Sequence, residues 1–131
     1  MEQTESQAKQ RVLLAEDDEA IRRTLQSLLE LKGYDVKLAE DTPSTIALLR
    51  EYDFDLLISD YLMPGGGGRE ILRYLQETQK NPAVIMITGL SDEQLFQELT
   101  SSGVDRCLSK PFRLASLIET IQEVMAERER G

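Results

Sequence analysis

Short apolar runs alternate with helical patterns five times along this chain, and no other feature constrains the fold as strongly. The runs are Val12–Ala15, Tyr34–Ala39, Phe54–Ser59, Ala83–Ile87 and Val104–Ser109. Repeated strand–helix units predict a parallel sheet with helices packed on both faces, joined by right-handed crossovers. We therefore expect an α/β fold: a doubly wound, five-stranded parallel sheet of order 2-1-3-4-5 with five helices.

The segments between these runs carry apolar residues at helical spacing. The stripes are Ile21, Leu25, Leu28, Leu29 and Leu31; Ile46, Leu48 and Leu49; Ile71, Leu72 and Leu75; and Leu114, Leu117, Ile118, Ile121, Val124 and Met125. Gly33 and Gly103 are expected to end the first and fourth helices. Thr42 is predicted to cap the second helix, with Pro43 at its first position, and Ser91 to open the fourth.

The length of 131 residues fits one domain with its own core. We expect this domain at residues 11–127, after a polar, disordered leader at 1–10. Residues 128–131 would be a C-terminal tail or the boundary of a longer protein. The one cysteine, Cys107, cannot form an intrachain disulfide, which favours a reducing, cytoplasmic setting.

Charge and composition exclude several function classes. There are 15 Lys plus Arg against 24 Asp plus Glu, a net charge of −9, and no histidine. The acidic balance argues against direct binding of nucleic acid or anionic lipid. No apolar run approaches the roughly eighteen residues of a membrane span, and residues 1–11 lack the apolar stretch of a signal peptide. Without histidine, chemistry here depends on carboxylates, hydroxyls, lysine or the backbone.

Polar residues follow four of the predicted strands, at the edge where this architecture binds ligands. Glu16 and Asp17 end the first strand, Asp60 the third, Thr88 the fourth and Lys110 the fifth. Crowded carboxylates repel one another, and a hard divalent cation such as Mg²⁺ relieves that repulsion. Lys110 suits a phosphoryl group as a point charge, and an aspartate beside a metal and an ammonium can accept such a group.

Each of these features has a plainer explanation when it stands alone. An acidic run such as Glu16–Glu19 is typical of a solvated helix N-terminus, Thr before Gly is typical of a turn, and Lys-Pro is a common dipeptide. Their conjunction at four strand ends favours a functional site. The run Gly65–Gly68 is not a nucleotide-binding loop, because Arg69 and Glu70 follow it instead of Gly-Lys-Ser/Thr. We expect it to form a tight or mobile turn after Pro64.

Taken together, the motifs resemble the receiver domain of two-component response regulators, from Arg11 to about Ala126. The matching pieces are Glu16-Asp17, Asp60-Tyr61-Leu62-Met63-Pro64 with Gly68 and Glu70, Ile87-Thr88 and Lys110-Pro111-Phe112. The resemblance implies a CheY-like signalling domain that is switched by phosphorylation. It would be no enzyme beyond a slow dephosphorylation of itself.

The resemblance also implies a role for each acid. Asp60 would accept the phosphoryl group from the phosphohistidine of a sensor histidine kinase or a histidine phosphotransfer protein. Mg²⁺ would be bound directly by Asp17, by Asp60 and by the backbone carbonyl of Leu62, and by Glu16 mainly through water. Because the chain has no histidine, the phosphoryl donor must lie on a separate protein or domain.

The remaining roles concern the switch and its output. Thr88 would form a hydrogen bond with the phosphoryl group, and Lys110 would pair with its oxygens and precede a cis peptide bond to Pro111. Output would pass through the fourth helix, fifth strand and fifth helix, about residues 91–127, to a downstream effector protein or an output domain outside this sequence. The resemblance is compatible with a homodimer and with a monomer.

Two departures from the family pattern have consequences. Cys107 stands where the family usually has an aromatic residue, so coupling to Thr88 is expected to be weaker or to use other side chains; otherwise Cys107 is a small apolar strand residue. Leu62 and Leu90 occupy positions where the family tunes attack by water. Since neither can orient a water molecule, we expect slow hydrolysis of the phosphoaspartate.

Three other functions share part of this pattern. A haloacid-dehalogenase-type phosphatase needs a second Asp two residues after the nucleophile, where this chain has Leu62. A pseudo-receiver, an interaction module that is never phosphorylated, is the main alternative, and the complete set of site residues argues against it. A flavodoxin-like cofactor binder shares the fold, but no stacking aromatic is evident near the predicted edge.

Overall fold

The five-stranded parallel sheet is present in the order predicted, β2-β1-β3-β4-β5. The computed structural model describes residues 9–89 and 92–130. Its strands are β1 Arg11–Ala15, β2 Asp35–Ala39, β3 Leu56–Asp60, β4 Ala83–Thr88 and β5 Arg106–Ser109. Its helices are α1 Glu19–Leu31, α2 Thr42–Glu51, α3 Gly67–Thr78, α4 Glu93–Ser101 and α5 Leu114–Arg130. Most of the expected leader, residues 1–8, lies outside the described part, as do Leu90, Ser91 and Gly131.

The sheet separates two hydrophobic cores, because successive side chains of a strand point to opposite faces. In β1, Leu13 and Ala15 belong to the core beneath α2, α3 and α4, and Val12 and Leu14 to the core beneath α1 and α5. The central strands β3 and β4 are buried at every position, as a strand covered on both faces must be. The edge strands β2 and β5 are more exposed.

The N-terminus of α2 differs from the prediction. Asp41, not Thr42, is the capping residue: its carboxylate accepts a hydrogen bond from the Ser44 amide at 2.8 Å, and Ser44 Oγ in turn accepts one from the Asp41 amide. This reciprocal pair satisfies the backbone amides of Asp41 and Ser44. Pro43 is therefore the second residue of α2, one position later in the helix than predicted. The hydroxyl of Thr42 does not cap its own helix and is free to contact another element.

Other element ends also differ from expectation. Leu31, counted in the apolar stripe of α1, is 83% exposed because α1 ends there, past the edge of the core. Asp92 caps α4 with hydrogen bonds to the amides of Gln94 and Leu95, while Ser91 lies outside the described residues. The last helix continues to Arg130, into the segment expected to be a tail. No helix in the described ranges is long and apolar enough to span a membrane.

Candidate functional site

All the predicted site residues lie at the carboxyl edge of the sheet. Glu16 and Asp17 follow β1 directly, Asp60 is the last residue of β3, and Thr88 is the last of β4. Lys110 follows β5, and its backbone amide donates to the Thr88 carbonyl at 2.8 Å. Parallel strands end at one edge, so residues far apart in sequence meet there.

The three acids are brought together. One carboxylate oxygen each from Glu16, Asp17 and Asp60 lie within 4.8 Å of one another. Asp60 is only 4% exposed and Glu16 is also buried, whereas Asp17 faces solvent. The buried carboxylates of Glu16 and Asp60, with the exposed carboxylate of Asp17 beside them, form a negatively charged pocket.

One lysine partly balances this charge. Lys110 Nζ lies 3.0 Å from Asp60 Oδ1 and 3.4 Å from Glu16 Oε1, so a single ammonium contacts both buried acids. It also donates a hydrogen bond to Asp60 Oδ2 at 3.2 Å. The peptide bond between Lys110 and Pro111 is cis, as the resemblance implied.

The pKa values reflect this imbalance. Burial, followed by the hydrogen bond and the negative charge of Glu16, raises the pKa of Asp60 to about 8, although Lys110 acts in the opposite direction. Burial alone would lower the pKa of Lys110, but its contacts with Asp60 and Glu16 outweigh that effect and raise it. Among residues 9–89 and 92–130, the pocket thus has more negative charge than the Lys110 ammonium neutralises.

These donors fit a hard divalent cation. Mg²⁺ binds oxygen ligands and usually takes one or two carboxylates while it keeps several waters. The cluster of Glu16, Asp17 and Asp60 offers three carboxylates, and Leu62 follows two residues after Asp60 in the adjacent loop. The excess negative charge of the pocket provides the driving force for such a cation.

Two supporting contacts near Glu16 were not anticipated. Arg22 Nη1 donates to the backbone carbonyl of Glu16 at 2.7 Å, and the Asp18 amide donates to Glu16 Oε2 at 3.0 Å. Asp18 also caps α1 through the Ile21 amide. Asp18, the N-cap of α1, and Arg22 in its first turn are four residues apart, so both lie beside the end of β1; this spacing is the one sequence signal for the pair.

The loop from Tyr61 to Gly66 carries Leu62 past the pocket. The side chain of Leu62 is 63% exposed, while Met63 is buried in the core. Of the glycine run, Gly65 and Gly66 lie in the turn, and Gly67 already belongs to α3. Gly67 has a φ of 70°, and a β-carbon there would overlap the carbonyl oxygen of Tyr61, so only glycine fits this close approach.

Cys107 and Leu90 are two of the positions at which the sequence departs from the family pattern. Cys107 is half-buried in β5 and packs against the core beneath α2, α3 and α4, where burial raises the pKa of its thiol. Leu90 lies outside the described residues.

An open apolar cleft borders the pocket. Its volume is about 590 Å³, and its walls include Ile21 and Leu25 of α1 and Phe112 and Leu114 on the other side. Lys110 belongs both to this cleft and to the acidic pocket.

Comparison with known proteins places the chain among receivers. The family model of the response regulator receiver domain matches residues 12–122. The response regulator receiver protein CpdR of Brucella abortus is 35% identical over 88% of this chain and 96% of its own length. The cell cycle transcriptional regulator CtrA of Caulobacter vibrioides is 30% identical over 88% of this chain, which spans 50% of that protein. A CheY-like receiver domain from Methanospirillum hungatei superposes with a TM-score of 0.87 at 28% identity, over 94% of this chain and 98% of that structure.

Proposed function

This chain belongs to the response regulator receiver domain family, and we propose that Asp60 accepts a phosphoryl group whose charge then switches a partner-binding surface. One observation carries the proposal: the buried Asp60 carboxylate lies 3.0 Å from the Lys110 ammonium and within reach of two further carboxylates. A structural ion pair needs only one acid beside the lysine. Three acids near one lysine are expected in a pocket that binds first a cation and then a phosphoryl group.

In the transfer step, an oxygen of ionised Asp60 forms a bond to phosphorus while the P–N bond to the donor imidazole breaks. The imidazole leaves with the electron pair of that bond and the product is an aspartyl phosphate. Lys110 Nζ contacts the attacking carboxylate and would pair with the negative oxygens of the transferred phosphoryl group. The donor histidine belongs to another protein or domain, because this chain has none.

Glu16, Asp17 and Asp60, with the Leu62 carbonyl, are the residues proposed to hold Mg²⁺. When bound, the ion supplies positive charge next to the phosphoryl oxygens. Glu16 is oriented for this by the Asp18 amide and by Lys110, so its carboxylate is fixed before any ligand arrives. Asp17 is the exposed member of the set and remains accessible to an entering ion.

The switch is proposed to begin at Thr88. A phosphoryl group adds nearly two negative charges to a pocket already rich in acids. Donors that face the group gain energy by moving towards it, and the Thr88 hydroxyl at the end of β4 is such a donor. Thr88 is linked through its carbonyl to the Lys110 amide, so a shift at β4 reaches β5 and the surface at about 91–127. An effector protein or an output domain would read that surface.

The phosphoryl donor is proposed to dock at the apolar cleft of Ile21, Leu25, Phe112 and Leu114. A donor histidine must come within bonding distance of Asp60, so the protein that carries it must contact the rim of the pocket. The cleft lies at that rim because Lys110 lines both. Its apolar walls would bind an amphipathic helix of the donor by burying surface from water.

The acceptor assignment is tested with Asp60→Asn, which keeps the shape of the side chain and removes the nucleophilic carboxylate. Incubation with acetyl phosphate and Mg²⁺ should label the wild type by one phosphoryl mass and leave Asp60→Asn unlabelled. Asp105→Asn, at the opposite edge of the sheet, is the matched control and should be labelled like the wild type. Labelling of Asp60→Asn at the wild-type rate would refute the assignment.

A second measurement concerns the lifetime of the product. Because Leu62 and Leu90 offer no group that orients water, the phosphoaspartate should decay slowly in Mg²⁺ buffer, over many minutes or longer. Its decay after removal of acetyl phosphate can be followed by intact-protein mass spectrometry. Complete loss within seconds would contradict this expectation.

A further inference from the structure

The hydroxyl of Thr42 lies in an unusual place for a residue at the start of a helix. Thr42 is 1% exposed and is the first residue of α2, yet its side chain does not cap its own helix. Its Oγ1 accepts a hydrogen bond from the Gly67 amide at 2.8 Å, across 25 residues of sequence. Gly67 begins α3, so Thr42 supplies a cap to a different helix.

This contact replaces one that α3 lacks. The N-cap residue of α3 is Gly66, which has no side chain to accept a hydrogen bond. A buried helix amide without an acceptor is destabilising, so the hydroxyl from α2 supplies the acceptor that α3 needs. The amide of Thr42, itself the first of α2, donates in return to the Pro64 carbonyl at 2.9 Å. Thr42 thus caps the start of α3 with its side chain and holds the turn before α3 with its backbone amide.

Packing reinforces these two hydrogen bonds. Gly65 has a φ of 92°, and a β-carbon at this position would lie 2.7 Å from Pro43 Cδ and 3.2 Å from Thr42 Cβ. The turn therefore lies directly against the start of α2. Any side chain at Gly65 would push the turn away from Thr42.

The turn at Pro64–Gly66, held by Thr42, comes directly after Leu62 and Met63, and the carbonyl of Leu62 is one of the proposed metal ligands. The chain leaves Asp60 through Tyr61, whose amide donates to the Ile87 carbonyl at 2.7 Å. At the other end Pro64 is fixed by the Thr42 amide. Leu62 lies between these two anchors, so the direction of its carbonyl depends on both.

From this arrangement we propose that Thr42 is a positioning residue for Mg²⁺, which fixes the turn that presents the Leu62 carbonyl. The inference rests on the proposed function, because it needs the cation to use that carbonyl. Residues that orient a metal ligand without touching the metal commonly affect affinity by a factor of about ten or more. Loss of the Thr42 hydroxyl is therefore expected to weaken Mg²⁺ binding.

The test compares Mg²⁺ affinity, measured by isothermal titration calorimetry on the unphosphorylated protein, in four variants. Thr42→Val removes the hydroxyl at nearly constant volume and should weaken binding about tenfold. Thr42→Ser keeps the hydroxyl and should retain wild-type affinity. Thr45→Val is the matched control: Thr45 is equally buried in α2, but its hydroxyl donates to the Asp41 carbonyl at 2.7 Å and does not touch the turn. Thr42→Ala repeats the loss of the hydroxyl if Thr42→Val does not fold.

Amide hydrogen exchange at Gly67 supplies a readout that needs no metal. Protection of this amide should fall in Thr42→Val and persist in Thr42→Ser and Thr45→Val. Wild-type Mg²⁺ affinity in Thr42→Val, or an equal loss in Thr45→Val, would overturn the inference.

Asp17→Asn separates this inference from the proposed metal site. If Asp17→Asn weakens binding and Thr42→Val does not, only the role of Thr42 fails. If the wild type binds no Mg²⁺, or Asp17→Asn binds it equally well, the metal site fails and the role of Thr42 fails with it.

Discussion

In the part of the chain that the structure describes, the acids at the amino edge of the sheet have enough hydrogen-bond and charge partners, whereas those at the carboxyl edge do not. At the amino edge, Asp105 accepts hydrogen bonds from the Val84 amide at 2.8 Å and from Arg128 Nη2 at 3.0 Å. Asp55 accepts one from the Arg11 amide at 2.8 Å. These acids complete strand amides that would otherwise lack partners, which is a structural task.

At the carboxyl edge the acids exceed what their neighbours satisfy. The Lys110 ammonium contacts Glu16 and Asp60, Asp17 adds a third carboxylate beside them, and the pKa of Asp60 is raised to about 8. The same residue type thus stabilises strand ends at one edge and leaves unbalanced negative charge at the other, where we propose that a cation binds. Comparison of variants at the two edges therefore separates structural acids from functional ones.

The largest expected effect is on removal of the metal. With EDTA in place of Mg²⁺, labelling of Asp60 by acetyl phosphate should slow by about 100-fold, because the phosphoryl oxygens lose the stabilising charge. Asp17→Asn should be comparably slow with Mg²⁺ present. Asp105→Asn, at the amino edge, should keep the full dependence on Mg²⁺; labelling that is equally fast with and without Mg²⁺ in the wild type would show that the carboxyl edge needs no cation.

A smaller effect is expected at the apolar cleft where we propose that the phosphoryl donor docks. Leu114→Arg places a charge in its apolar wall and should slow phosphotransfer about tenfold from a histidine kinase that labels the wild type. Labelling by acetyl phosphate, which needs no docking, should not change. Leu31→Arg is the control, since Leu31 is an exposed leucine at the far end of α1. An equal loss in both variants, or a loss with acetyl phosphate as well, would argue against the cleft.

The smallest effect is on stability, and its sign should differ between the edges. In EDTA the raised pKa of Asp60 means that the folded state binds a proton that the unfolded state has released. Stability of the wild type should therefore fall as pH rises from about 4 to about 8. Asp60→Asn removes this penalty and should raise Tm by about 5 °C at pH 8, with little change at pH 4.

At the amino edge, Asp105→Asn should instead lower Tm by about 5 °C at pH 8, because Arg128 loses its ionised partner. Both melting curves can be recorded by circular dichroism in the same buffers. A decrease in Tm for both variants at pH 8 would mean that Asp60 is as well satisfied as Asp105.

The fold was predictable because its signals are local and repeated. Each strand contains a short apolar run, and the central ones, β3 and β4, are buried at every position because both of their faces are covered. Strand order then followed from the few arrangements that short right-handed crossovers allow. Helix ends were less predictable: the stripe that includes Leu31 continues past the last position that the core covers.

The convergence of the candidate site was predictable for a similar reason. Residues at the ends of parallel strands must share an edge, so Glu16, Asp60 and Lys110 were expected together without any knowledge of their distances. The roles themselves, phosphoryl acceptor and Mg²⁺ ligands, came from the family motifs and stay proposals.

Pattern along the chain was thus enough for the order of the strands and for the edge where the charges gather, because periodicity and strand direction are properties of the backbone. Which side chain caps which helix was decided only by tertiary packing. Asp41 and Thr42 are neighbours and both are good caps, and the choice between them depends on a turn more than twenty residues away. The raised pKa of Asp60 also needed the tertiary structure, since burial and the approach of Glu16 and Lys110 exist only in the folded chain.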